Sequence, residues 1–170
     1  HYVAPYQMKI GFGSCLKQNK DMPIFEAIKS DSFDLFLMLG DNVYGDSQTE
    51  RLKELKSAYK KQKENFNNMG LNLPLEAIWD DHDYGLNDGG KNYAFKEQAK
   101  ELFLDFWDIP VDDVRRSRQG LYYDVLKSID KEDVHIIFLD TRTFRDKLMP
   151  TDDRGASGKE RYIPNLDRSL

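Results

Sequence analysis

The sequence predicts an α/β protein with a central sheet and helices packed on its faces. Three observations carry that reading. Phe33 to Leu39 and Leu75 to Trp79 are short, nearly unbroken apolar runs, suited to strands buried on both faces. Segments between and after them repeat apolar residues at helical spacing. Each apolar run also stops at a loop rich in polar residues, as strands do when their carboxyl ends border a crevice.

Taken in order, residues 8–13 alternate apolar with small or polar side chains and meet Ser14-Cys15, which predicts a strand ending in a functional loop. Asp21 is placed to cap a short helix through Met22 to Lys29, with Pro23 in its first turn. The run Phe33 to Leu39 stops at Gly40-Asp41-Asn42-Val43-Tyr44-Gly45-Asp46. Ser47 and Glu50 have capping-box spacing, which predicts a helix opening there and running to about Asn68. Leu52, Leu55, Tyr59 and Phe66 form its apolar stripe, and its lysines read as a solvated face. Leu75 to Trp79 follows Pro74 and ends at Asp80-Asp81-His82-Asp83. Asn92 is placed to cap a helix to about Trp107, with Phe95, Ala99, Leu102, Phe103 and Phe106 as its core stripe. Gly120 to Leu126 and Asp133 to Leu139, joined by Ser-Ile-Asp-Lys-Glu, predict a hairpin that ends in Asp140-Thr141-Arg142. After Pro150, Asp152, Asp153, Gly155, Gly158 and Lys159 predict a mobile loop.

Composition narrows the function. In 170 residues, 39% hydrophobic and 32% charged side chains describe a globular domain with a real core. No run approaches the ~20 apolar residues that span a bilayer, so no transmembrane segment is expected. The net charge of −5, with cations dispersed among acids, lacks the basic footprint of a nucleic-acid partner. Cys15 is the only cysteine, so no internal disulfide forms.

Four strand ends carry metal- or phosphate-competent groups: Ser14-Cys15, Asp41 with Tyr44, Asp80 to Asp83, and Asp140 with Arg142. Gathering these carboxylates in one crevice costs free energy unless cations neutralise them. Each has a structural alternative: an Asp after a strand forms turns and caps, a lone Cys packs as a small hydrophobe, and His82 can be an ordinary histidine. The run Trp79-Asp80-Asp81-His82-Asp83, followed by Asn87-Asp88, has no evident core purpose and points to metal binding or catalysis.

In sequence order, Gly13-Ser14-Cys15, Gly40-Asp41-Asn42-Val43-Tyr44, Trp79-Asp80-Asp81-His82-Asp83 with Asn87-Asp88, and Leu139-Asp140-Thr141-Arg142 resemble the motifs of the alkaline phosphatase D (PhoD-like) enzymes, a branch of the calcineurin-like metallophosphatases. The resemblance runs from about Lys9 to Lys147. It implies a sandwich of two sheets flanked by helices, and hydrolysis of phosphate mono- or diesters by a metal-activated water without a covalent phosphoenzyme. It further implies Fe3+ and Ca2+ as cofactors and a small phosphate ester as substrate. Cys15 would be a thiolate ligand and Tyr44 a phenolate ligand to the ferric ion. Asp41 would bridge metals, and Asp81 would take the place of the metal-binding Asn of Gly-Asn-His-Glu. His82 would act as acid or charge stabiliser, Asn87 would complete a calcium or substrate site, and Arg142 would clamp phosphate. An extracytoplasmic address, periplasmic or secreted, goes with the family.

Two departures stand out. Asp83 stands where many relatives have Glu. Later histidines, including a Gly-His-x-His motif, are not found: the chain offers only His1, His82 and His135. His1 is expected at a frayed end, and His135 in a core or edge-strand role. Residues 1–170 are therefore expected to be one metallophosphatase domain lacking its C-terminal portion. The alternative is a non-catalytic metal-binding or scaffold remnant of the same fold. An aspartate nucleophile at Asp140 is disfavoured because position 142 is Arg, and Gly89-Gly90-Lys91 lacks phosphate-loop spacing.

Overall fold

The computed structural model describes residues 7–129, 132–147, 149–150 and 162–163. Three strands, β1 (Ile10–Gly13), β2 (Leu35–Leu39) and β3 (Leu75–Ile78), form a parallel sheet in that order. Ile10 pairs with Leu35 and Phe36 with Leu75. The most apolar segment is therefore the central strand, with Leu35, Phe36 and Met38 buried, as strands with both neighbours paired require. Because all three run the same way, the loops after them emerge on one edge.

Helices α1 (Ile24–Ser30), α2 (Lys53–Met69), α3 (Asp81–Tyr84) and α4 (Lys96–Phe106) follow these strands. In α2, Leu55, Ala58, Tyr59, Gln62 and Phe66 are buried, and in α4, Ala99, Phe103, Leu104 and Phe106 are buried, so both apolar stripes face the core. Leu102 and Phe95 pack at its margin.

Three helix starts differ from the sequence expectation. α1 begins behind Pro23, with no capping bond from Asp21. α2 begins six residues after Ser47, because Leu52 is fully buried at φ 48, a left-handed turn that cannot continue a helix. Ser47 still serves this end from a distance: its Oγ accepts the Leu55 amide at 3.1 Å and donates to Glu54, not Glu50. α4 begins after Phe95, not Asn92. Tyr93 is drawn into the core instead, and its hydroxyl donates to the Ser47 carbonyl at 2.9 Å.

The remaining described elements are α5 (Val114–Ser117), a hairpin of β4 (Tyr123–Ile129) and β5 (Glu132–Phe138), and a short antiparallel pair, β6 (Met149–Pro150) with β7 (Tyr162–Ile163). The hairpin forms as the alternation predicts, but as a separate two-stranded sheet. Tyr123 joins it to β3. Its hydroxyl accepts the Ala77 amide at 3.1 Å and donates to the Ala77 carbonyl at 3.0 Å, so one phenol satisfies a strand edge that has no further strand among the described residues. His135 lies on the outward face of the hairpin, paired with Asp124 at 2.8 Å. The loop expected after Pro150 lies outside the described residues except for Tyr162 and Ile163, and His1 lies outside them too. Among the described residues, no helix is long and apolar enough to cross a membrane.

Asp113 caps α5, accepting from the Arg115 amide and from Nε and Nη2 of the same residue, each at 2.8 Å. Those bonds hold its carboxyl down to about 2. A depressed carboxylate stabilises the fold above its ordinary value of 3.8 and loses that contribution as pH falls through about 2. Asp113→Ala is therefore expected to cost about 1 kcal/mol near neutral pH, on the scale of a cap and a partly exposed ion pair. In urea titrations the difference from wild type should disappear in strong acid.

Candidate metal centre

The site is built on the shared carboxyl edge of β1, β2 and β3. The β1–β2 ladder continues past the strands, with the Cys15 amide donating to the Gly40 carbonyl at 3.1 Å and the Leu16 amide to that of Asp41 at 2.7 Å. This registers the first two loops against each other. Gly40, at φ 105, lies so close to the third that a Cβ would meet that of Asp80 at 2.5 Å, so only glycine fits. Two candidate ligands are in the left-handed region without being glycine: Cys15 at φ 61 and Asp41 at φ 51. Such strain persists where surrounding structure over-determines it, and it gathers at functional sites.

Among the described residues, Asp41, Asp81 and His82 offer ligand atoms that all lie within 4.8 Å of one another. Both carboxylates are 8% exposed. Cys15 Sγ lies 3.7 Å from Asp41 Oδ2, and the Tyr44 hydroxyl interacts with both Cys15 and Asp41. The Tyr44 ring sits against that of His82, with centroids 4.3 Å apart. Five of the seven site residues expected from sequence are therefore neighbours: Cys15, Asp41, Tyr44, Asp81 and His82.

Arg142 reaches the same edge from the turn after β5. Its Nε donates to Asp80 Oδ1 at 2.5 Å and its Nη2 lies 3.9 Å from Asp81 Oδ1, while its buried Nη1 has no partner among the described residues. Asn87 is exposed, and its side-chain amide donates to Asp88 rather than to any of the five. Asp88 in turn gives its backbone amide to Asp81 Oδ2 at 2.7 Å.

The electrostatics fit a cation. Burial pushes the Asp41 carboxyl up, and the charge of Asp81 pushes it further. Burial acts on Asp81 too, but the Asp88 amide, Arg142 and His82 outweigh it and hold its carboxyl below the usual range. Burial, helped by Cys15 and Asp41, pushes the Tyr44 phenol well up. A bound cation reverses this logic by favouring every anionic form at once. Carboxylate, cysteine sulfur, phenol oxygen and imidazole are all groups able to ligate a metal ion.

Several contributing residues were not singled out by sequence. Asp46 accepts from His82 Nδ1, at 2.9 Å to its nearer oxygen. With the ring proton assigned to Nδ1, this frees Nε2 for the site. Gln18 is buried and holds the backbone of Tyr44 in both directions, at 2.9 Å each. Asp83, read as one more acid of the site, faces inward. It is fully buried and accepts from the amides of Asp41, Asn42 and Asp80 and from Asn42 Nδ2. Its carboxyl is pushed up to about 8 by burial, against those donors. Asp83 thus has the core purpose that the acidic run was thought to lack. Asp140 is likewise a turn staple: it accepts from the amides of Leu121, Arg142 and Thr143 and from Thr143 Oγ1. Acid spacing alone cannot separate inward from outward carboxylates.

No family model matches the chain, and no curated protein matches it. A solved structure described as "Structure of PhoD" does, with a TM-score of 0.61 at 18% sequence identity. The match covers 86% of this chain and 34% of that one, so the chain spans about a third of its length. The likeness establishes a PhoD-like fold.

Proposed function

We propose that this chain carries the metal centre of a PhoD-like phosphoesterase, within a calcineurin-like two-sheet sandwich, and that the substrate is a small phosphate mono- or diester. The observation that carries the reading is the convergence of Asp41, Asp81 and His82 within 4.8 Å, with Cys15 and Tyr44 adjoining. Cys15 and Tyr44 would hold Fe3+, Asp41 would bridge, and Asp81 would hold a second ion such as Ca2+. When bound, such ions neutralise phosphate charge and lower the pKa of a water.

The chain's own residues do the rest. Arg142, anchored by Asp80 and close to Asp81, would supply the positive charge that meets a phosphoryl oxygen. His82, oriented by Asp46 at Nδ1, would donate a proton from Nε2 to the leaving oxygen in its imidazolium form, which carries a proton on both ring nitrogens. Asn87 is assigned to the rim, where a substrate or calcium ion would meet its exposed amide. An extracytoplasmic address is part of the same proposal.

The test is elemental analysis of the purified chain together with hydrolysis of a bis-aryl phosphate diester, for wild type, Cys15→Ala and His82→Gln. Iron with calcium and measurable turnover are expected, with iron lost in Cys15→Ala. In His82→Gln, which leaves Cys15, Asp41, Tyr44 and Asp81 in place, turnover should fall by about 100-fold, the scale of a general acid. A second reading is a metal-binding domain without turnover. Stoichiometric metal with no hydrolysis would support it. Absence of stoichiometric metal overturns both.

A further inference from the structure

The turn after β5 touches the candidate centre on two sides, and the proposal above uses only one of them. Arg142 reaches Asp80 and Asp81. Three residues on, Arg145 Nη2 donates to the carbonyls of Asp88 and Gly89, the latter at 3.0 Å. The Arg145 carbonyl accepts the Lys91 amide at 2.9 Å. Gly90 is packed so closely beneath it that a Cβ would lie 2.5 Å from that carbonyl oxygen. An ion pair between Lys91 and Asp146 at 2.6 Å closes the same seam.

The seam holds Asp88, a non-glycine residue at φ 55 whose amide donates to Asp81 Oδ2 at 2.7 Å. The left-handed conformation costs about 1 kcal/mol, so an external restraint is needed to keep it. Arg145 grips the carbonyl of the same residue. Backbone rotation that would swing the Asp88 amide off Asp81 is thereby opposed.

We propose that Arg145 is a positioning residue for the metal centre: by clamping the Asp88–Gly89 backbone it keeps the Asp88 amide on Asp81. That bond holds the Asp81 carboxylate in reach of Asp41 and His82. The inference rests on the metal-centre reading and adds a residue that touches none of its ligands. Groups that orient metal ligands at one remove typically alter affinity by about 10- to 100-fold.

Two measurements test it on the full chain. Amide hydrogen exchange at Asp88, followed by NMR without metal, reads the clamp directly. Mn2+ titration followed by electron paramagnetic resonance reads the consequence. Arg145→Ala should speed Asp88 exchange by about 10-fold or more and weaken Mn2+ binding by about 10-fold or more. Arg145→Lys, which restores one donor, should fall between, and it carries the comparison if the Ala variant does not fold. A lowered melting temperature with unchanged Mn2+ affinity overturns the proposal, since a purely structural brace would do that. So does a raised KM alone, which would make Arg145 a substrate contact in the small cavity it shares with Lys91 and Lys147. Should wild type bind no Mn2+, the metal-centre reading fails, and the clamp is judged on exchange alone: unchanged protection at Asp88 overturns it.

Discussion

Asp41→Asn is expected to abolish stoichiometric metal and to lower diester hydrolysis by on the order of 100-fold or more, since a bridging ligand matters at least as much as the groups that orient it. The substitution is gentle in every other respect. Asn tolerates the left-handed conformation that Asp41 adopts at φ 51. Its Oδ1 can still accept the His82 amide, which Asp41 takes at 3.3 Å. The charge is lost, and Oδ2, which lies 3.7 Å from Cys15 Sγ, becomes an NH2. Two buried carboxylates facing each other without a cation repel, so in metal-free protein the Asn variant should be as stable as wild type or more stable by about 1 kcal/mol. With metal the order should invert, because only wild type gains binding energy on folding. Paired thermal melts, with chelator and with excess Ca2+, read this crossover. Parallel curves in both conditions would remove Asp41 from the metal centre.

Asp83→Asn should have the largest effect on stability, although it exchanges one oxygen for an amide. Oδ1 accepts from the amides of Asp41 and Asp80, and Oδ2 from the amide and side chain of Asn42. Whichever way Asn is turned, its NH2 faces two donors and at least two buried N–H groups lose their acceptor. Leaving buried partners unpaired costs about 1–3 kcal/mol each, so a loss of about 3–5 kcal/mol is expected by urea denaturation above about pH 8, where this carboxyl is ionised. Metal affinity should fall as well, because the same carboxylate ties the Asp41–Asn42 loop to α3. A change within about 0.5 kcal/mol, the range of an ordinary surface substitution, would show that Asp83 is not the brace the geometry describes.

That Asp41, Tyr44, Asp81 and His82 would meet was legible because they follow apolar runs, and parallel strands deliver their loops to one edge. Cys15 was legible for the same reason, with the added signal of Gly13-Ser14 before it. Asp83 was misread because its neighbours Asp81 and His82 face the site while it turns inward. In a helix of four residues, adjacent side chains point in different directions, and which one is buried depends on what packs against the helix. Asp46 and Gln18 carried no signal of their own: a polar residue in a polar loop gains a role only from the partner that folding brings to it.

The order of β1 to β3, α1, α2, α4 and the β4–β5 hairpin, the central strand and the core stripes of α2 and α4 were determined by sequence alone, whereas α3, α5 and the β6–β7 pair were not. Hydrophobic periodicity is a local property, and the burial it demands leaves few arrangements. Tertiary structure decided the helix starts, where burial of Leu52 and Tyr93 overrode the available caps. It also decided the pairing of His82 with Asp46, the inward turn of Asp83, and the reach of Arg142 and Arg145 across about sixty residues to α3 and the loop behind it. Those contacts join segments distant in sequence, and their geometry follows from how the sheet edge, the helix and the turn after the hairpin pack together.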